Sequence, residues 1–292
     1  MTPDPARGHL AMLAFSVLVA GAFTLGARAA NLIDPGAITA VRFWIATVIV
    51  GLAMVATTGG RGGWMIAPWR FVILGGVFSI YFVLMFEGLK TAQPVSAAAV
   101  FTLTPIMAGV FGWIVLRQVL SLRILLGLGL GLAGALWVIF RGDLAALMRF
   151  EVGRGEIVYF YGCVAHALYP SLVRLLNRGE TATEQTFGTL VAGAVLLTIW
   201  AWPDIRATDW AALPTIVWVT LAYVAVFSSA ATFVLLQYAV RHLPSSKVMA
   251  YTYLVPSWVI GWNVAFGMGW PTATILAGIG MTIAALLWLL RA

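Results

Sequence analysis

The stretch 124–137, ILLGLGLGLAGALW, returns at 275–288 as ILAGIGMTIAALLW. Ile124, Leu125, Gly127, Gly129, Leu136 and Trp137 stand opposite Ile275, Leu276, Gly278, Gly280, Leu287 and Trp288, an offset of 151 positions. Working outward at the same offset, Phe82-Val83-Leu84 returns as Phe233-Val234-Leu235 and Lys90 as Arg241. Leu103 and Pro105 return as Leu254 and Pro256, and Ser121 as Thr272, with no gap between 82 and 137. The chain therefore carries an internal repeat.

The repeated unit belongs in a bilayer. Hydrophobic residues make up 62% of the chain and charged ones 9%, with a mean hydropathy of +0.99, against ~45–50% and ~25% in ordinary soluble proteins. Apolar runs of ~20 residues separated by short polar turns read as spanning helices. The runs are continuous rather than alternating, which excludes a β-barrel. Ten helices are expected, at about 9–29, 34–57, 68–90, 95–117, 121–141, 155–176, 182–202, 211–240, 245–269 and 272–291. Asp34-Pro35, the Gly59–Gly63 stretch, Gln93-Pro94, Pro203-Asp204 and Pro244-Ser245 mark the sharpest breaks, since proline opens a helix but does not continue one. The run at 211–240 exceeds what a bilayer requires and should tilt, kink or protrude.

Five spans per copy is an odd number, so the second copy must cross the membrane upside down. The expected fold is an all-α integral membrane protein of ten transmembrane helices in two inverted five-helix repeats, 1–141 and 155–292. An extracytoplasmic linker, 142–154, joins them. Inverted repeats let secondary transporters build two alternating gates around one central site for a small-molecule substrate. Ten basic residues, among them Arg7, Arg61, Arg117, Arg174, Lys247 and Arg291, fall on one side and six, among them Arg28, Lys90 and Arg206, on the other. The excess places both termini in the cytoplasm. Arg7, the apolar run after it and Ala27-Arg28-Ala29 also have the outline of a cleavable signal peptide. Cleavage would orphan the first repeat, so this segment is expected to remain a span.

The net charge of +7 is spread singly over loops, which suits anionic lipid headgroups and not nucleic acid. Cys163 is the only cysteine, so no intrachain disulfide forms. No HExxH, Walker, CxxC or Ser/His/Asp grouping occurs, and neither a metal, a cofactor nor an enzymatic activity is expected.

Pro105 and Pro256 sit mid-span at equivalent repeat positions. Each frees the carbonyl four residues back, at Phe101 and Thr252. The pair reads as hinges bordering a cavity or as kinks satisfied locally by threonine. Thr102 flanks the first, and Tyr251 and Thr252 the second. Tyr159, His166 and Tyr169 share one helix face, suited to a wet cavity or to a neutral imidazole bonded between helices. Phe15, Tyr81 and Trp258 are mid-span aromatics, and Ser228, Ser229 and Thr232 supply hydroxyls on the eighth span. Glu87 is the acid furthest inside a span, and intramembrane charge should be paired, with Arg42 or Lys90. Glu87, Arg42 and His166 are the candidate gate or proton sites. Gly127 with Gly131, and Gly280 with Ala284, form small-xxx-small pairs for close helix packing. Trp64, Trp69, Trp202, Trp210 and Trp270 fall near span ends, as interfacial tryptophans do.

Gly88-Leu89-Lys90, Leu103-Thr104-Pro105 and Gly127 through Trp137 resemble the drug/metabolite transporter superfamily in its ten-helix EamA-type branch. So do Tyr238-Ala239-Val240-Arg241, Leu254-Val255-Pro256, Gly278 through Trp288, and Arg42-Phe43. Where that family often has an acid before the last helix of each half, this chain has Gln118 and Gly269. Within the branch it is most similar to bacterial aromatic amino acid exporters. The resemblance implies a bacterial inner-membrane exporter, working as a monomer, with a largely apolar central cavity and alternating access. A drug or nucleotide-type cargo in the same fold is the alternative, and a non-transporting receptor or scaffold the alternative of another class.

Overall fold

The computed structural model describes residues 5–58, 67–119, 121–149, 151–267 and 269–291. The Gly59–Gly63 break, Arg61 and Trp64 lie outside the described residues. The elements, in order, are α1 (Pro5–Ala29), α2 (Pro35–Thr58), α3 (Trp69–Leu89), α4 (Pro94–Phe101), α5 (Thr104–Leu116), α6 (Leu122–Ile139) and α7 (Leu144–Met148). There follow α8 (Arg154–Leu176), α9 (Ala182–Trp200), α10 (Trp202–Ala207), α11 (Thr215–Ala225), a π-helical segment (Val226–Ala231) and α12 (Thr232–His242). The chain ends with α13 (Ser245–Ala250), a 3₁₀ turn (Tyr251–Leu254), α14 (Val255–Ala265) and α15 (Ala273–Arg291). No strand occurs among the described residues.

Eight helices among the described residues are long and apolar enough to cross a bilayer, including the composite stretches Pro94–Leu116 and Thr215–His242. Two of the ten expected spans are not among them. α8 has 23 residues, about 34 Å at 1.5 Å per residue, but Arg154, Glu156, His166 and Arg174 dilute its apolar character. The stretch from Ser245 is divided into α13, the 3₁₀ turn and α14.

The long run expected from 211 begins instead at Thr215, because Pro214 occupies the N-cap and residues 210–212 turn. It continues to His242, and its irregularity is the π-helical turn at its middle rather than a simple kink. The other helix starts fall close to those expected. Pro94 opens α4, the Thr181–Glu184 capping box opens α9, and Ser121 caps α6.

α6 and α15 run antiparallel in close contact. Trp137 Nε1 donates to the Thr274 carbonyl (3.0 Å), and Trp288 Nε1 donates to the Arg123 carbonyl (2.9 Å). The two bonds join repeat-equivalent residues, since 123 and 137 correspond to 274 and 288. The glycines behave the same way. A Cβ on Gly127 would meet Leu289 and Trp288, and one on Gly278 would meet Val138, Trp137 and the Gly134 carbonyl, whereas Gly129 and Gly280 face open space. This corrects the expected pairing of Gly280 with Ala284. Both face outward, and Gly278 supplies the contact. Two residues are about 200° of helix, so sequence alone does not say which glycine looks inward.

Elsewhere α3 lies against α8 and α9, α2 against α9, and α1 between α12 and α14. Gly88 and Gly155 bring α3 and α8 to backbone contact, where a Cβ on Gly155 would stand 2.4 Å from the Gly88 carbonyl oxygen. One end of the bundle, hereafter the terminal end, carries His9, Arg70, Arg174 and Arg241. The opposite, linker end carries Asn31, Lys90 and the 142–154 connection. Trp69, Trp202 and Trp270 are exposed near helix ends, as an interfacial role requires. Trp210 is half-buried and donates to the Ile205 carbonyl.

Gly278→Leu should destabilise the purified protein by ~1–3 kcal/mol through overpacking of the seam, while Gly280→Leu should leave the melting temperature within a degree or two. Equal effects in thermal unfolding would contradict this packing.

Candidate functional site

The sequence places aromatic side chains on the inward faces of α1, α3, α4, α8 and α12, and the fold brings them into one buried cage. His166 lies at its centre. Its ring sits 4.4 Å from Tyr81, 4.9 Å edge-on from Phe101 and 5.5 Å stacked from Phe78, with Phe15 at 6.4 Å. Toward the linker end, Phe23 contacts Phe101 and Tyr159 at 5.8 Å each, and the Tyr81 and Tyr159 hydroxyls are 3.2 Å apart. On another side, Phe78 stacks on Tyr169 at 4.0 Å and meets Phe233 edge-on at 4.3 Å. Tyr169 accepts from Gln237 Nε2 (2.7 Å).

Of the residues expected to line a cavity, Phe15, Tyr81, Phe101, Tyr159, His166 and Tyr169 are thus assembled in one place. The open cavity expected there is not. Rings from facing helices fill it, leaving His166, Tyr81, Phe101 and Phe78 buried, and two open pockets lie elsewhere. One of about 590 Å³ lies at the linker end beside Asn31, Asp34, Lys90 and Asp209, and another of about 460 Å³ is an apolar groove by Ser79, Leu196 and Trp200. The site is occluded. Trp258 stands apart, 38% exposed, with its Nε1 donating to Ser16 Oγ (3.2 Å). Tyr251 reaches the terminal end, where its hydroxyl lies 3.0 Å from His9 Nδ1.

The two prolines begin new helices rather than bending continuous ones. Pro105 occupies the first turn of α5 and Pro256 that of α14, where a missing N–H costs nothing. The carbonyls they free have local partners. Thr104 Oγ1 donates to the Phe101 carbonyl (2.7 Å), and the Val255 N–H donates to the Thr252 carbonyl within the 3₁₀ turn. Thr102 Oγ1 similarly donates to the Ala99 carbonyl (2.6 Å). The two breaks meet at Thr104 and Thr252, whose hydroxyls are 3.2 Å apart.

Arg42 on α2 is fully buried. Its Nε and Nη2 donate to Ser229 Oγ (3.0 and 2.8 Å), and Nη2 lies 3.4 Å from the Ser228 carbonyl. The guanidinium covers the Phe82 ring at 3.8 Å. Of the two partners expected for Glu87, the structure selects Lys90 (2.6 Å) at the exposed linker end, one helical turn away. Phe82 and Phe233, equivalent in the repeat, stack nearly parallel (5.7 Å, 13°), and Phe43 meets each edge-on at 5.8 Å. Neither Phe82 nor Gln237 stood out in the sequence as a site residue, although the match of Phe82 with Phe233 was visible there. Among the buried polar atoms without a partner are Arg42 Nη1, His166 Nδ1, Ser228 Oγ and Gln237 Oε1.

The terminal end is tied by polar bonds. Arg70 pairs with Glu180 and donates to the Leu176 carbonyl. Arg174 donates to the carbonyls of Val240 and Leu243 at the end of α12, and Arg241 donates to Gln185. Burial alone would raise the Glu180 carboxyl. The hydrogen bonds it receives from Arg70 and from backbone N–H groups outweigh burial and hold it below the usual carboxylate range.

The sequence profile of the EamA-like transporter family matches residues 6–140 and again residues 153–291. The chain is 26% identical over 266 residues to the uncharacterized transporter YyaM of Bacillus subtilis (strain 168), covering 90% of this chain and 86% of that protein. A solved crystal structure aligns with 97% of this chain and 94% of its own at a TM-score of 0.74 and 18% identity, which shows a shared fold alone.

Because its folded-state pKa is depressed, Glu180 contributes stability above the unfolded carboxylate value of about 4.3. That contribution is lost as pH falls through the lower folded value. Glu180→Gln should cost about 2 kcal/mol at pH 7 and flatten the acid limb of the stability profile. An unchanged limb in thermal unfolding from pH 7 to 3 would remove the tie.

Proposed function

Because the chain belongs to the EamA-like transporter family, we propose that it is a secondary transporter exporting small metabolites, aromatic and other amino acids foremost, by alternating access through the aromatic cage. The carrying observation is the cage itself, a buried cluster of rings and unpartnered polar atoms bordered by three helix irregularities. Rings and aliphatic walls suit an apolar side chain, and the hydroxyls and His166 suit its polar end.

The proposed architecture is ten crossings in two inverted halves, 1–141 and 155–292, with 142–154 between them. The reciprocal tryptophan bonds of α6 and α15 and the stacked Phe82–Phe233 pair support a two-fold relation between halves. The proposed setting is a bacterial inner membrane with both termini in the cytoplasm, supported by the excess of basic residues at the terminal end. The Arg70, Arg174 and Arg241 ties then form the cytoplasmic gate, and cargo loading requires their release. The halves rock about the breaks at Pro105 and Pro256.

A cationic drug is the poorer fit. Glu87 and Glu156 lie at the linker end, engaged by Lys90 and Ser96, and neither belongs to the cage. A nucleotide-type cargo would have Arg42 as a positive partner inside the bundle.

Proteoliposomes of the purified protein should show saturable uptake of tryptophan and phenylalanine above threonine and methionine, measured with and without a pH gradient. Absence of flux for all four would discard the amino acid assignment. Pro256→Ala should reduce flux by about tenfold while folded yield stays within twofold, as hinge changes do. Parallel losses of flux and yield would reduce the break to a structural role.

A further inference from the structure

The least explained group in the molecule is the Arg42 guanidinium. Arginine keeps its charge at any accessible pH, and an intramembrane charge is normally paired or lies on a substrate path. No carboxylate stands within ion-pair distance of it among the described residues. Its Nε and Nη2 converge on one neutral hydroxyl, Ser229 Oγ. That edge of the guanidinium is the one that grips a carboxylate with two parallel N–H···O bonds. Among the described residues Nη1 has no partner, and neither does the hydroxyl of Ser228, next to Ser229 in the chain. A single hydroxyl therefore fills a place built for two anionic oxygens.

The backbone is shaped to the same end. Ser228 and Ser229 are both buried, and Arg42 meets the hydroxyl of Ser229 and the carbonyl of Ser228. Both lie in the π-helical turn Val226–Ala231, and such turns concentrate at functional sites. Contact between the guanidinium and the cage is continuous. Arg42 lies on Phe82, Phe82 stacks on Phe233, and Phe233 meets Phe78, which stacks on Tyr169 and His166.

We propose that Arg42 receives the carboxylate of the cargo, which displaces Ser229 from the Nε–Nη2 edge and accepts from the Ser228 hydroxyl, while the apolar body of the cargo enters the cage. The inference rests on the transporter reading and names its substrate class. The cargo is a small organic acid or zwitterion with an aromatic or apolar body, and amines lacking a carboxylate are excluded. Ser229 serves as the internal substitute when the site is empty.

The test compares three probes of one shape on the purified full-length protein, 3-phenylpropionate, 3-phenylpropionamide and 3-phenylpropylamine, by equilibrium binding. The wild type should bind the carboxylate at least about tenfold more tightly than the amide and the amine, one well-placed charged hydrogen bond being enough for that ratio. Arg42→Gln should abolish the preference with no fall in melting temperature, since it removes a buried charge that has no counter-ion. Ser228→Ala should weaken carboxylate binding by a few-fold. If Arg42→Gln does not fold, Arg42→Lys is read instead. It keeps the charge and loses the fork, so the preference should drop severalfold, and an unchanged preference overturns the proposal. Equal or tighter binding of the amine, a preference retained in Arg42→Gln, or no binding of any probe by the wild type also overturns it. Amino acid flux judges the transporter reading separately. Flux without a carboxylate preference keeps that reading and discards this one, and the preference without flux does the reverse.

Discussion

Hydrocarbon offers no hydrogen bond, and where the backbone of this protein breaks helical geometry at Phe101 and Thr252, a neighbouring hydroxyl or peptide group answers. The turn at 102–103, the π-helical segment at 226–231 and the 3₁₀ turn at 251–254 all lie inside the bundle, with Thr102, Ser228, Ser229 and Thr252 buried beside them. Thr104 satisfies the Phe101 carbonyl, and the Val255 N–H satisfies that of Thr252. The same constraint concentrates hydroxyls at the centre of an otherwise apolar protein. Polar chemistry arises there because regular helix stops there.

Much of the fold was legible because its signals are local. Gln93-Pro94 marks the start of α4 within a residue or two. The breaks at Pro105 and Pro256 announce themselves through proline's missing donor. The π-helical turn carries no such mark, as Val226–Ala231 contains ordinary residues and its contact with Arg42 comes from across the bundle. Arg42 and Ser229 are 187 positions apart, so no reading of neighbours pairs them. Lys90 was an available partner for Glu87 because it is three residues away. Hydropathy also carried the eighth span back to 211, since Ala211, Ala212 and Leu213 are apolar and only Pro214 tells them from helix. The residues of the cage were largely visible as mid-span aromatics, but their occlusion was not. Whether rings line a space or fill it depends on how closely helices approach.

If the cage holds the cargo as proposed, its occlusion sets how binding occurs. The ring faces that would hold a cargo hold one another, with Phe78 on Tyr169 and His166 against Tyr81 and Phe101. A cargo must replace these contacts with equivalent ones. Under the proposed function, apolar binding is then an exchange of stacking partners, and the discriminating energy falls to the few polar atoms the rings leave without partners.

The reciprocal bonds of Trp137 to Thr274 and Trp288 to Arg123 have the form of an isologous interface, the kind by which two identical chains make a closed pair. Under the proposed two-fold relation, the 142–154 segment acts as a tether that fixes stoichiometry, one copy of each half, while the seam itself does the holding. A tethered pair is released from the obligation to be identical. Glu87 can stand opposite Tyr238, and Phe101 opposite Thr252, without a mirrored copy appearing elsewhere. Asymmetry of the central chamber is in this sense a product of covalent linkage, and a symmetric dimer of the same helices could carry no lone arginine there.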